Sequence, residues 1–181
     1  MDFTREDILS LLGDLDAEMQ AQDLRAELFV VGGAAIALAF DARRATRDID
    51  AIFVPKAAVY DAVDRIAHKR DLPDDWLNDA VKGFLLGDDP DRQTVFDAPG
   101  CSVTVPSPQY LLAMKVYAAR VDRDPDDLRL LASVCGVNTA QGVLGLAERF
   151  LSGRPIPPKV QFLVEELFPP ASADIDPQPD S

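Results

Sequence analysis

Apolar residues recur near the start of the chain at helical spacing, Ile8, Leu11, Leu12, Leu15 and Met19, behind a Thr4 and Asp7 pair that resembles a capping box with Asp in place of Glu. This predicts an amphipathic first helix. The pattern then changes to a continuous apolar run over 28–31 that ends on Gly32 and Gly33, as expected of a buried strand entering a tight turn. Alanine and leucine dominate 34–40, the composition of a short helix. Ile49–Val54, closed by Pro55, carries β-branched and aromatic residues and predicts a second strand. Residues 56–69 return to a helical pattern, and a further helical stretch is expected near 75–81. Two strand-like runs, 93–97 and Cys101–Val105, flank Ala98, Pro99 and Gly100, which predicts a hairpin. Ser107 and Pro108 supply an N-cap and a first-turn proline for a helix carrying Leu111, Leu112, Met114, Lys115 and Val116. Helical patterns fill the remainder over Pro125–Val134, 139–151 and 158–168.

This order of elements implies an α/β (α+β) fold, a mixed sheet flanked by helices, with a helical C-terminal part. With 181 residues, 48% of them hydrophobic, the chain can bury one substantial core. The expected organisation is a core over 1–105, a helical part packed on it over 106–168, and a disordered acidic, proline-rich tail over 169–181. That tail has four prolines, three aspartates and only Ile175 as a sizeable apolar group.

Charge narrows the function classes. A net charge of −13 opposes broad attraction to phosphate backbones, so any RNA contact must be local. Cys101 and Cys135 are far apart and accompanied by a single histidine, His68, which suggests buried free thiols rather than a zinc site or a disulfide framework. His68 itself is expected exposed at a helix end, and Trp76 as a packing residue. No apolar run approaches the roughly 20 residues needed to span a bilayer, and the N-terminus lacks the pattern of a signal peptide, so a cytoplasmic protein without membrane association is expected.

Candidate chemistry gathers between the first two strands. Asp48 and Asp50 are two residues apart, so their side chains leave one strand face with Cα atoms about 6.7 Å apart. Two such hard oxygen donors can hold magnesium at a phosphoryl group, or can form an ordinary solvated pair. Gly32 and Gly33 precede a helix where bare backbone N–H groups can approach phosphate; the alternative is that they only turn the chain. Arg43, Arg44 and Arg47 concentrate positive charge beside the carboxylates, suited to phosphate oxygens or to pairing with Asp41, Asp48 or Asp50.

The whole segment, FVVGGAAIALAFDARRATRDIDAIFVP, resembles the signature of the polymerase-β-like nucleotidyltransferase superfamily. Within it, the Arg-x-Thr-x-Asp-x-Asp form of Arg44, Thr46, Asp48 and Asp50 is similar to the bacterial AbiEii and MenT toxin group and related nucleotidyltransferases. That group's second half, a lysine-bearing helix followed by Arg-Asp-x-x-Asp-Leu, is matched by Lys115 and by Arg123, Asp124, Asp127 and Leu128. The resemblance covers roughly residues 25 to 133. It implies catalytic roles for Asp48, Asp50, Lys115 and Asp127, magnesium on Asp48 and Asp50, and NTP contacts from Gly32, Gly33, Arg44, Thr46, Arg47 and Lys115. Asp124 and Asp127 also suit a helix N-terminus, and Lys115 a solvent-facing position. A third strand carboxylate has no evident counterpart, since Val103 and Val105 are apolar and Asp97 is the nearest candidate.

Three functions follow as expectations from that resemblance. The first is magnesium-dependent transfer of NMP from an NTP to RNA, such as a tRNA 3′ end, in a toxin–antitoxin setting. The second is an antitoxin-like enzyme that adenylylates a partner protein, which the negative charge favours. The third is an inactive nucleotidyltransferase-fold binding protein, favoured by the missing third carboxylate.

Overall fold

A computed structural model describes residues 2–81, 86–118, 125–151 and 153–169. Twelve elements are described: α1 (Arg5–Gln20), β1 (Ala26–Val30), α2 (Gly32–Ala39), β2 (Ile49–Val54), α3 (Lys56–Arg70), β3 (Leu77–Asn78), β4 (Gln93–Ala98), β5 (Cys101–Val105), α4 (Pro108–Ala118), α5 (Pro125–Val134), α6 (Ala140–Phe150) and α7 (Pro158–Leu167). The strands form one mixed sheet in the order β3-β2-β1-β5-β4. β1 runs antiparallel to β2 and parallel to β5, β2 is parallel to β3, and β4 and β5 form the antiparallel hairpin expected around Pro99. The mixed α/β architecture is therefore as the sequence implies.

The two faces of the sheet differ, and the difference positions the site. Ala26, Leu28, Val30, Ile49, Ala51, Phe53, Cys101, Val103 and Val105 are all buried on one face, over which α1 and α3 pack. Strand alternation sends Glu27, Phe29, Asp50, Ile52, Val54, Ser102 and Thr104 to the other face, where they are half-buried or exposed. The capping box predicted for α1 is formed, with the Thr4 hydroxyl accepting from the Asp7 amide and the Asp7 carboxylate accepting from the Thr4 amide. The Thr4 hydroxyl also donates to Asp7 Oδ2 at 2.7 Å, and this bond, with that from the Thr4 amide, holds the Asp7 carboxyl below its ordinary pKa.

α4 begins where the sequence places it. Ser107 is buried, its hydroxyl accepts from the Tyr110 amide at 3.2 Å, and its own amide donates to Asp89 Oδ2 at 2.7 Å. Ser107→Ala removes one of these first-turn bonds. The expected loss is about 1 kcal/mol of unfolding free energy, read as a lower urea midpoint at unchanged slope.

Three expectations need correction or fall elsewhere. The helix expected over 75–81 is instead a short strand, β3, because the backbone of 76–78 completes the edge of β2: the Ile49 amide donates to the Trp76 carbonyl at 2.7 Å, and Ile49 and Asp50 pair with Leu77 and Asn78. Trp76 is fully buried, as a packing residue should be, and its indole N–H donates to the Val63 carbonyl. Phe162 recurs with Leu163, Leu167 and Phe168 on the terminal helix, a pattern that predicts core positions or a partner contact; it is 70% exposed, because α7 turns Val160, Leu163 and Val164 inward against α6 and leaves Phe162 on its outer side. Residues 170–181, almost all of the expected tail, lie outside the described residues.

Both cysteines are free thiols. Cys101 is buried on β5, and burial pushes its thiol up to about 12. Cys135 is half-buried and shifted upward for the same reason. His68 is exposed in the last turn of α3, as expected. Among the described residues no helix is long and apolar enough to cross a membrane.

Candidate active site

At the end of β1 the chain must leave the sheet and start a helix within two residues. Val31 is still extended and donates its amide to the Asp50 carbonyl at 2.9 Å, which fastens the turn to β2. Gly32 follows at φ +64°, a conformation that an L side chain rarely adopts. A Cβ there would lie 3.5 Å from Asp50 Oδ2. At Gly33 a Cβ would lie 2.8 Å from Thr46 Oγ1 and 3.2 Å from Thr46 Cβ. Gly32 is thus called for by its backbone conformation, whereas the missing side chain of Gly33 lets the chain pass against Thr46, which leads into the acidic strand. Val31, the N-cap of α2, provides no side-chain cap, so no side chain of the cap occupies the helix's first amides.

The segment leading into β2 is held from outside the sheet. Phe3 and Thr46 exchange backbone hydrogen bonds, Phe3 N to Thr46 O at 2.6 Å and Thr46 N to Phe3 O at 3.0 Å. The Thr46 hydroxyl donates to the Asp48 carbonyl at 3.1 Å. Asp48 is exposed, with no hydrogen bond or ion pair on its carboxylate among the described residues; Asp50 is half-buried one strand repeat further in.

Across from these residues, α4 and α5 contribute a charged cluster. Asp127 Oδ1 accepts from Arg44 Nη2 at 2.7 Å and Asp127 Oδ2 accepts from Lys115 Nζ at 2.8 Å. The side chains of Lys115 and Asp127 are only 13% and 17% exposed, so water screens this pair weakly. Asp127 thus acts neither as a free first-turn acid nor as an N-cap; it holds two cations at one wall of a cleft. Lys115 is likewise not a solvent-facing residue.

A cleft of about 750 Å³ brings together Gly32, Gly33, Arg44, Thr46, Arg47, Asp48, Asp50, Lys115 and Asp127. These are all the residues singled out from the sequence as catalytic, nucleotide-binding or metal-ligating. Arg47 is its most peripheral member, 91% exposed and 3.8 Å from Asp2 Oδ1. Arg43 turns to Asp41: its backbone amide at 3.1 Å and then its guanidinium Nε at 3.2 Å donate to Asp41 Oδ1 and hold that carboxyl below its ordinary range. Of the pairings envisaged for the arginines, only this one forms; Arg44 and Arg47 meet Asp127 and Asp2 instead. Asp97 is no third site carboxylate: it sits on edge strand β4, paired with Arg25, and does not line the cleft. Arg123 and Asp124 lie outside the described residues.

Sequence reasoning missed the apolar wall of the cleft, made by Val81, Leu111, Met114 and Ala118. Its signal was available: Leu111, Met114, Lys115 and Ala118 stand at i, i+3, i+4 and i+7, one face of α4. The contribution of Asp2 and Phe3 had no signal, because a single bridge between distant backbones carries no side-chain pattern.

The donor set fits magnesium. Among the described residues no three Asp, Glu, His or Cys side chains form a metal-holding group. Asp48, in the bend just before β2, and Asp50, on β2, both line the cleft, and two such hard oxygen donors suit an ion that keeps several waters and takes its other oxygens from substrate phosphates.

The comparison with known families agrees with this geometry. Residues 8–138, well over half of the chain, match a family described as a nucleotidyltransferase of unknown function (DUF6036). The chain belongs to this nucleotidyltransferase family. The matched span contains both glycines, Asp48, Asp50, Lys115 and Asp127, and so every residue lining the cleft except Asp2. No curated protein and no solved structure matches the chain.

Proposed function

We propose that this nucleotidyltransferase-family protein transfers a nucleoside monophosphate from an NTP to an acceptor, with magnesium held by Asp48 and Asp50. The observation that carries this reading is the convergence in one cleft of a glycine turn, the carboxylates of Asp48 and Asp50 and a weakly screened lysine. Gly32 and Gly33 seat phosphate against the start of α2. Lys115, oriented by Asp127, faces the charge that develops on the departing pyrophosphate, and Arg44 adds a second cation fixed by the same carboxylate. The wall of Val81, Leu111 and Met114 suits the flat apolar faces of a base. Bound magnesium supplies charge neutralisation at the phosphate oxygens. The acceptor oxygen bonds to the α-phosphorus, the bond from that phosphorus to the bridging oxygen breaks, pyrophosphate leaves with the electron pair, and the acceptor proton passes to water. Catalysis of this kind is positioning and electrostatics.

Two acceptors have support. The Arg-x-Thr-x-Asp-x-Asp form supports an RNA acceptor such as a tRNA 3′ end, as in a toxin of the AbiEii or MenT type; the exposed Arg43 and Arg47 beside the cleft favour local phosphate contact. The net charge of −13 favours a protein acceptor, as for an antitoxin-like enzyme that modifies its partner toxin. Incubation with α-labelled NTPs and either total RNA or candidate proteins separates these outcomes.

Asp48→Ala tests the reading itself, and separates it from a binding protein that uses no metal. NTP affinity in the presence of magnesium is expected to fall about tenfold, the equivalent of ~1.4 kcal/mol. Affinity without magnesium should be unchanged. Equal affinities of the wild type and the variant under both conditions, by calorimetric titration, would refute the metal role.

A further inference from the structure

A second cavity of about 370 Å³ lies on the open face of the sheet, beyond the residues that the transfer chemistry uses. Strand register gives its floor as two rows. Ile52 of β2, Phe29 of β1 and Thr104 of β5 are cross-strand neighbours, and so are Val54, Glu27 and Ser102. Asp50 is the previous residue on the same face of β2, so the floor continues directly from the acidic end of the cleft. α4 serves both sites: Leu111, Met114 and Lys115 line the cleft, and Tyr110 lines the second cavity, edge-on to Phe29 with ring centres 6.3 Å apart.

Glu27 makes this floor unusual. It occupies the middle strand of the sheet, where β-branched and aromatic residues are normally favoured. Its side chain is exposed and makes no hydrogen bond or ion pair among the described residues. Asp88 and Asp89 add negative charge at the rim, although Asp89 is buried and already accepts from the Ser107 amide. Arg92 is the one Lys or Arg among the lining residues described. A nucleic-acid strand laid here would set phosphates against these carboxylates. A Lys or Arg would instead rest its stem on the half-buried Phe29 and Ile52 and bring its charge to Glu27.

We propose that this open sheet face is the acceptor lane, and that it takes an extended segment of a partner protein carrying a hydroxyl side chain about four residues from a Lys or Arg. The spacing follows from the strand: from Asp50 to the row of Val54 and Glu27 is four residues of β2, about 13 Å, and an extended acceptor rises by the same amount per residue. The inference rests on the nucleotidyl-transfer reading. The serine, threonine or tyrosine oxygen gains the bond to the α-phosphorus, pyrophosphate departs with the electron pair, and the hydroxyl proton goes to water.

The test uses the full chain with magnesium, each α-labelled NTP in turn, and two peptides that differ only in having Lys or Glu four residues from a single serine. The wild type is expected to label the Lys peptide with at least tenfold higher kcat/KM. Glu27→Gln should lower that preference about tenfold through KM, and Glu27→Lys should reverse it toward the Glu peptide, with NTP affinity unchanged in both variants. The conservative Gln variant also guards against a folding defect in the Lys variant. Unchanged preference in Glu27→Lys overturns the lane. So does a wild type that binds NTP yet labels neither peptide, or one that labels RNA 3′ ends at a rate indifferent to Glu27. Failure of the underlying reading looks different: NTP binding would be insensitive to magnesium and to Asp48→Ala.

Discussion

Asp50→Asn is expected to lower nucleotidyl transfer by about 10³-fold while leaving the fold intact. Asn has nearly the shape of Asp but lacks the charge that a magnesium–phosphate cluster needs. Asp50 occupies the more constrained of the two carboxylate positions. It is half-buried on β2, its carbonyl anchors the Val31 amide, and its Oδ2 is the atom that a Cβ on Gly32 would approach. Charge removed here disappears from the point where the glycine turn and the acidic strand meet. A 10³-fold loss corresponds to about 4 kcal/mol of transition-state stabilisation. That is the scale on which one well-placed electrostatic group acts in a partly dehydrated site. The backbone bond survives the substitution, so the urea unfolding midpoint should move little. The measurement is single-turnover release of labelled pyrophosphate at saturating NTP. A variant within tenfold of the wild type would show that Asp50 lies outside the reacting centre.

The fold was legible in the sequence wherever a local pattern and its tertiary partner agree. The apolar spacing of α1, the β-branched and aromatic run of β2 and the Ser107–Pro108 start of α4 all locate their elements; α1 and α4 bury the residues that their patterns mark as apolar, whereas β2 buries Ile49, Ala51 and Phe53 and turns Ile52 and Val54 to the other face. It was not legible at 75–81. There the segment gains backbone bonds from the edge of β2, a contribution that depends on distant residues and leaves no periodicity of its own. Phe162 shows the converse: an apolar residue on a helix whose inward face is already filled by Val160, Leu163 and Val164.

The candidate site divides in the same way. Asp48 and Asp50 were visible as carboxylates two residues apart beside a diglycine, and Lys115 through the resemblance of its helix to the AbiEii and MenT group. Asp127 was visible as well, with one structural explanation competing against it, an acidic side chain at the positive end of a helix. The bonds to Arg44 and Lys115 show that its carboxylate does more than that, since a first-turn aspartate and a cation-orienting aspartate occupy the same place in a helix. The same two bonds explain how a chain of net charge −13 can present cations to a triphosphate: a single carboxylate fixes both of them at the cleft wall.

Gly33→Ala is expected to weaken NTP binding by ten- to a hundredfold and to destabilise the protein by about 1–3 kcal/mol, the usual cost of overpacking. The new methyl would meet Thr46 Oγ1 at 2.8 Å, a distance at which something must move. Thr46 cannot withdraw freely, because its backbone exchanges two hydrogen bonds with Phe3 and its hydroxyl donates to the Asp48 carbonyl. Displacement therefore passes either to the first turn of α2, where phosphate would sit, or to the residues leading into Asp48. Either movement harms the site. Thr46→Ala removes the oxygen at 2.8 Å but keeps the Cβ at 3.2 Å, so the double variant should recover part of the stability and part of the affinity. Such recovery is the signature of a steric conflict between these two residues, and a double-variant cycle on unfolding midpoints and NTP affinity measures it. Additive losses would instead mean that the cost of the methyl does not arise against Thr46, and that the close passage past Thr46 contributes nothing to the phosphate seat.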